Sequence, residues 1–538
     1  MIWILVLAAG LFFLAPIGGL LSQFHLSSLN EIINDPSFLK SLKVTLVSSG
    51  GGALGSVLLA LLFARQFANY SWPGKRLQRL FLLIPYLIPN FILAVSYIMA
   101  WNPATGLLNS FFRFPFGLYG LTGITILFAI AHMPVAFLLF EEKLKRIDSA
   151  LKEAARLSGA KSLGVFMRIE LPLLKPTLLS AIGLCFALNI SAFAIPAWIG
   201  APKHIYPLTY KVYQSIQLGG LDGLPDAASY SVVLLLLALV PLILNMLVRE
   251  QEKKYVLLSG KSSKPASGLQ SLQSFISFQV FFLISQILFW LAPLICLLLS
   301  TITKPGCLQS EGVSCLKNIS FSHYSYVLFD LPETRAALHG SLFYGAIASV
   351  LIVLLSMLVI TFFSQNRRAM RLVEAFFSIP LATPGAVIAL GLIVVYSGKF
   401  GVNLYNTAWI VVIAFIVKHL NLAFQPIKTG FGNISPSLLE AARLSGANQS
   451  KVWSKIVFPL LKPEVLGAFF LVFIPIIGEL TMSVFLSSNN FRSIGTVLFD
   501  LQDYADQASA GALAVLLILL VLCLNEFAFR VSRGKLGY

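Results

Sequence analysis

The sequence predicts an all-α polytopic membrane protein, with about twelve transmembrane helices in two parallel six-helix repeats. Three observations predict it. Of the 538 residues, 57% are hydrophobic and only 11% are charged, about half the charged fraction of an ordinary soluble domain. Many apolar runs reach the roughly 20 residues that a helix needs to cross a bilayer core about 30 Å thick. The polar octapeptide EAARLSGA occurs twice, at 153–160 and again at 440–447.

Lipid cannot satisfy backbone N–H and C=O groups, so a spanning segment is either a helix or a strand of a closed barrel. Barrel strands would read as short alternating segments, which these runs are not. Spans are predicted near residues 2–22, 42–64, 80–101, 120–140, 177–200, 229–248, 275–301, 339–364, 373–397, 406–427, 464–487 and 511–529. With the first residue inside, the inner loops, linker and tail hold 28 Lys and Arg, against 10 in the outer loops and their edges. That asymmetry sets the orientation, with both termini cytoplasmic. The net charge of +17 then reports topology and attraction to anionic lipid headgroups, and no nucleic-acid partner is expected.

Taken in order, the first span has no basic residue before it. It lacks the charged start of a cleavable signal peptide and reads as a retained helix. Spans three and nine carry the proline pairs Pro85/Pro89 and Pro380/Pro384, which predict kinks. Spans four and ten carry His132 and His419 at equivalent places, with Lys418 before the second. Residues 251–272 form a basic, Ser- and Gly-containing linker, expected to be a cytoplasmic tether. Its G-K-S is no phosphate loop, because the first glycine of that motif would fall on Tyr255. Cys185, Cys296 and Cys523 fall in spans and read as small apolar fillers. Cys307 and Cys315 share an outer loop; a disulfide is one reading and two free thiols the other. Glu479 lies in span eleven, opposite Ala192 in the first half.

The octapeptides anchor a longer match 287 residues apart, EAARLSGAKSLGVFMRIELPLLKP against EAARLSGANQSKVWSKIVFPLLKP. Six predicted spans separate the copies, so both face the same side and the repeat is parallel. Each copy predicts a helix–turn–helix. Glu, Ala, Ala, Arg and Leu favour helix, and Gly159 or Gly446 permits a left-handed cap. A second short helix follows and ends before Pro172. Val165, Phe166 and Ile169 share one face of it, as do Val452, Trp453 and Ile456 in the other copy. Such a shape suits docking; a duplicated surface loop packed on its own spans is the plain alternative.

The pattern Glu-Ala-Ala, three residues, Gly, nine residues, Ile, one residue, Leu-Pro resembles the EAA loop of ABC-type import permeases. The first copy matches through Glu153, Ala154, Ala155, Gly159, Ile169, Leu171 and Pro172. The second matches through Glu440, Ala441, Ala442, Gly446, Ile456 and Pro459, with Phe458 in place of Leu. The resemblance implies a type I, MetI-like permease of the bacterial inner membrane with both halves fused, at 1–250 and 273–538. It implies a permease subunit rather than an enzyme, binding no cofactor or metal itself. Each loop, with Phe166 or Trp453 among its packing residues, would engage one of two cytoplasmic ABC ATPase subunits, which carry ATP and Mg. A periplasmic substrate-binding protein would deliver the cargo.

The stretches Ile195–Ile216 and Gly478–Leu486 resemble ferric-iron import permeases. Thiamine and aminophosphonate permeases share the fused layout. The expected cargo is Fe³⁺, with those two as alternatives. Ionisable groups inside spans are costly and often functional, so His132, His419 and Glu479 are candidate substrate-path residues. The alternatives are helix–helix hydrogen bonds, a helix cap or an ion pair with Lys418. A proton-coupled secondary transporter using these four residues is the reading from another class.

Overall fold

A computed structural model describes residues 2–24, 26–109, 117–220, 222–255, 272–303, 317, 319–364, 366–488, 490–504 and 506–531. The linker from 256 onward and the Cys307/Cys315 loop lie outside them. Among the described residues there are helices, two isolated β-bridges and no strand.

The main helices, in chain order, are α1 Ile2–Gln23, α2 Leu26–Asn34, α3 Pro36–Asn69, α4 Lys75–Leu87, α5 Asn90–Trp101, α6 Leu121–Lys145 and α7 Ser149–Leu157. They continue as α8 Ser162–Ser191, α9 Leu208–Gly219, α10 Leu224–Tyr255, α11 Phe275–Ile302 and α12 Pro332–Phe363. Then follow α13 Arg367–Ala382, α14 Gly385–Val395, α15 Ala408–Gly432, α16 Pro436–Leu444, α17 Ser450–Ile477, α18 Thr481–Leu486, α19 Ile494–Asp503 and α20 Gln507–Val531. Among the described residues nine helices are long and apolar enough to cross a membrane, or up to twelve if each of three bent pairs counts as one span.

Two of those pairs correct the expected kinks. α4 and α5 meet at 99°, and α13 and α14 at 107°, so predicted spans three and nine are broken rather than bent. The break falls at the second proline each time. Ile88 and Thr383 are extended, because a residue before proline is pushed out of the helical region. The first prolines, Pro85 and Pro380, stay inside their helices.

The chain forms two compact units, Phe24–Phe321 and Met1–Gln23 with Ser322–Tyr538. They cut across the sequence halves. Within the second, α1 packs on the broken pair α13/α14: Phe13 meets Phe377 at 4.9 Å between ring centroids. A Cβ on Gly391 would lie 1.9 Å from the Pro16 carbonyl oxygen, so α1 and α14 touch backbone to backbone. Within the first, α11 takes the equivalent place beside α5 and packs its aromatic side chains on α3. Phe282 contacts Phe63 and Phe67, and Tyr97 Oη donates to the Phe289 carbonyl at 3.2 Å. Each half's first helix is thus built into the other half's unit.

The duplication also survives in detail. Thr45 Oγ1 accepts from Leu208 N at 2.8 Å, at the start of α9. Ser341 Oγ accepts from Ile494 N at 2.9 Å, at the start of α19. This aligns α3 with α12 at an offset of 296 residues.

Candidate functional site: two capped polar loops

The octapeptide is a helix end. In the first copy Asp148 caps α7, its side chain accepting from Ala150 N at 3.0 Å. At the other end Ala160 N donates to Ala155 O at 3.0 Å and Gly159 N to Arg156 O at 2.9 Å. The second copy repeats the bonds at this end, with Ala447 N to Ala442 O at 3.1 Å and Gly446 N to Arg443 O at 3.0 Å, while Ser435 at its start makes no side-chain cap. These paired bonds are the Schellman C-cap, which needs a left-handed residue at the glycine. Gly159 has φ +85° and Gly446 φ +80°. A Cβ at either would meet nothing within 4 Å, so conformation rather than space calls for glycine.

Glu153, Ala154, Glu440 and Ala441 are exposed, and Ala155 and Ala442 half-buried. Sequence reasoning passed over the leucine between them and the glycine. Leu157 is 90% exposed and Leu444 89%. Both leucines stand open at the same position of the two loops, each held next to a left-handed glycine cap. The signal was present in the repeat: a leucine recurs at the last turn of both helices, two residues before the glycine.

The helix after the cap does not end before Pro172, as expected. α8 runs through it, and α17 through Pro459. The turn ahead of each proline is π-helical: Leu171 N bonds Phe166 O, and Phe458 N bonds Trp453 O. The wider turn makes room for a ring that would otherwise strike the preceding turn. Phe166 and Trp453 open these turns, with Ile169 and Ile456 within them, all half-buried. The helix after each cap is therefore continuous with a spanning helix.

The loops are seated by different chemistry. Glu170 is 1% exposed, and its carboxylate accepts from Arg65 Nε at 2.9 Å and Asn69 Nδ2 at 2.9 Å. Lys152 Nζ sits 3.3 Å from that carboxylate and donates to Asn69 Oδ1 at 2.6 Å. Arg65 also donates to Ser162 O at 2.7 Å and covers the Phe166 ring at 4.8 Å. Burial pulls the Lys152 ammonium below the ordinary lysine value, opposed by the Glu170 charge. In the second loop Trp453 stacks on Phe431 at 5.7 Å. There a cavity of about 370 Å³ is lined by Thr361, Leu439, Glu440, Trp453 and Val457 among others. Another cavity, of about 390 Å³, lies at the opposite end of α12, lined by Glu333, His339, Tyr344, Asn490 and Arg492 among others.

The intramembrane candidates divide. His132 Nδ1 donates to Asn189 Oδ1 at 2.6 Å, and its Nε2 accepts from Asn90 Nδ2 at 3.0 Å. Asn189 in turn donates to Ser49 O at 2.9 Å. This imidazole joins α3, α5, α6 and α8. His419 is 9% exposed, and neither ring nitrogen has a hydrogen-bond partner among the described residues. Glu479 accepts from Met482 N at 2.8 Å and Ser483 N at 3.0 Å, capping α18. Lys418 Nζ donates to Thr383 O at 2.5 Å and Leu381 O at 3.2 Å, closing the end of α13 at its break, and lies within reach of the Glu479 charge. Among the described residues no cluster of metal-ligating side chains forms.

Comparison with known proteins agrees with the repeat. The binding-protein-dependent transport system inner membrane component family matches at residues 56–255 and again at 352–533. The chain is 23% identical over 507 residues to the ferric transport system permease protein FbpB of Actinobacillus pleuropneumoniae, covering 92% of this chain and 72% of that one. It is 23% identical over 514 residues to the Fe(3+)-transport system permease protein FbpB 2 of Haemophilus influenzae, covering 93% and 92%. It is 31% identical over 238 residues, 41% of this chain and 79% of the relative, to the sn-glycerol-3-phosphate transport system permease protein UgpA of Agrobacterium fabrum. With two equivalent capped loops and a family match in each half, the chain belongs to the binding-protein-dependent ABC import permeases, in their fused two-half form.

Proposed function

We propose that this permease imports ferric iron by alternating access, driven by two copies of a separate cytoplasmic ABC ATPase that bind ATP and Mg. One ATPase subunit engages each loop through Leu157 or Leu444. The observation that carries this reading is the pair of leucines, 90% and 89% exposed on identical rigid caps. Closure of the ATPase pair moves both loops, and the helix after each cap runs unbroken into its span as α8 or α17. The cavity at the other end of α12, a helix of 32 residues and so about 48 Å long, faces the periplasm, where a binding protein hands over cargo.

Iron is favoured by the two ferric permeases that match more than nine-tenths of the chain. An organic phosphate is the second reading, favoured by the higher identity to UgpA over one half. The loop reading is tested with Leu157→Asp and Leu444→Asp, alone and together. Each change should weaken co-purification of the ATPase, and both together should abolish it while the chain still inserts. An unchanged ATPase yield with the double variant would overturn it. Uptake of radiolabelled Fe³⁺ by vesicles holding the full assembly separates the cargoes: saturable ATP-dependent uptake supports iron, and competition by sn-glycerol 3-phosphate instead supports the second reading.

A further inference from the structure

The loops carry the same octapeptide, cap and exposed leucine, yet one position set beneath them has changed as a group. At the offset of 296 found for α3 and α12, Arg65 corresponds to Thr361. At the octapeptide offset of 287, Lys152 corresponds to Leu439 and Glu170 to Val457. All three charged members of the first loop's network are uncharged in the second, and all three replacements line the cavity there. Removing one member of a buried ion network strands the others at high cost, whereas removing them together costs little. The cavity occupies the place where the network would stand.

We infer that Glu170 is a positioning residue that makes the first loop a stiff connection, while the second loop yields into its cavity. Through one carboxylate Glu170 joins α3, α7 and α8, so displacement of α7 carries all three. Among the described residues no ion pair reaches α16. Displacement of α16 is partly absorbed as Leu439 moves into open space. Equal strokes from two ATPase subunits would thus produce unequal responses in the two halves. The stiffness difference is a property of this chain; its consequence for transport rests on the loop reading proposed above.

Hydrogen exchange on the full-length chain tests the seating directly. The two octapeptides are identical, so their amides share the same intrinsic chemistry, and any difference in rate reads local stability. The amides of Ala441–Leu444 should exchange at least tenfold faster than those of Ala154–Leu157. Glu170→Gln should raise the α7 rate to that of α16, and Glu170→Asp should restore part of the difference. In the ATPase-loaded assembly, Glu170→Gln should lower cargo moved per ATP several-fold, while Val457→Leu, which fills the cavity without a charge, should not lower it. Equal exchange in the unaltered chain, or an α7 rate unmoved by Glu170→Gln, would overturn the inference. Failure of the ATPase to bind would sink the loop reading instead and leave the exchange result standing.

Discussion

His132 and His419 occupy equivalent positions, yet their replacement by leucine should have opposite consequences. The partners of His132 are Asn189 and Asn90. In the second half those positions are Ile476 and Gly385, at offsets of 287 and 295. His132→Leu removes two interhelical hydrogen bonds. Within a bilayer such bonds average about 0.6 kcal/mol each, because the unfolded chain also finds partners. That sets a lower figure of about 1 kcal/mol. Asn189 is 1% exposed and keeps only its bond to Ser49, so its orphaned Oδ1 adds about 1–3 kcal/mol. A loss of about 2–4 kcal/mol follows. His419→Leu breaks no bond among the described residues and relieves the cost of burying two polar nitrogens, so stability should hold or rise by about 1 kcal/mol. Denaturant titration of each variant in the same detergent, followed by tryptophan fluorescence, reads both. Equal losses would refute the argument, since they would mean that His419 is bonded as His132 is. A stable His419→Leu variant that no longer transports would give His419 a role in the path.

Three further outcomes follow from geometry. Gly391→Ala should destabilise the packing of α1 on α14 by several kcal/mol, because a Cβ 1.9 Å from the Pro16 carbonyl oxygen cannot be accommodated without separating two backbones; protease nicking near residue 24 should rise in parallel. Lys418→Met should cost about 1–3 kcal/mol in the same titration, by leaving the Thr383 and Leu381 carbonyls at the α13 break without their donor. Gly159→Ala and Gly446→Ala should each cost about 1–2 kcal/mol of local stability through left-handed strain alone, read as faster amide exchange in the last turn of α7 or α16, with no change in the spans.

Much of the candidate site was legible because its signals are short. The Schellman cap lies within six residues of each octapeptide, and the pattern of a helix ending at glycine reads directly from the chain. The proline pairs located the breaks, although the sharp angle appears only when the flanking helices find separate packing partners. The π-helical turns were not legible, since whether a proline ends a helix or is absorbed depends on what supports the turn. Nor was the seating of the first loop: Glu170 and Arg65 are 105 residues apart, and no local period ties them.

By itself the sequence determined the membrane class, the duplication and the two capped loops. Each of these follows from composition or from contacts a few residues apart, so lipid and backbone geometry suffice to dictate them. Only the tertiary structure decided that α1 completes the second half's unit and α11 the first. It alone separated the bonded histidine from the unpartnered one, and the clamped loop from the one above a cavity. Those outcomes depend on which surfaces meet, and a repeated sequence leaves that open, because two equivalent helices carry nearly the same local information and differ only in the partners their distant neighbours supply.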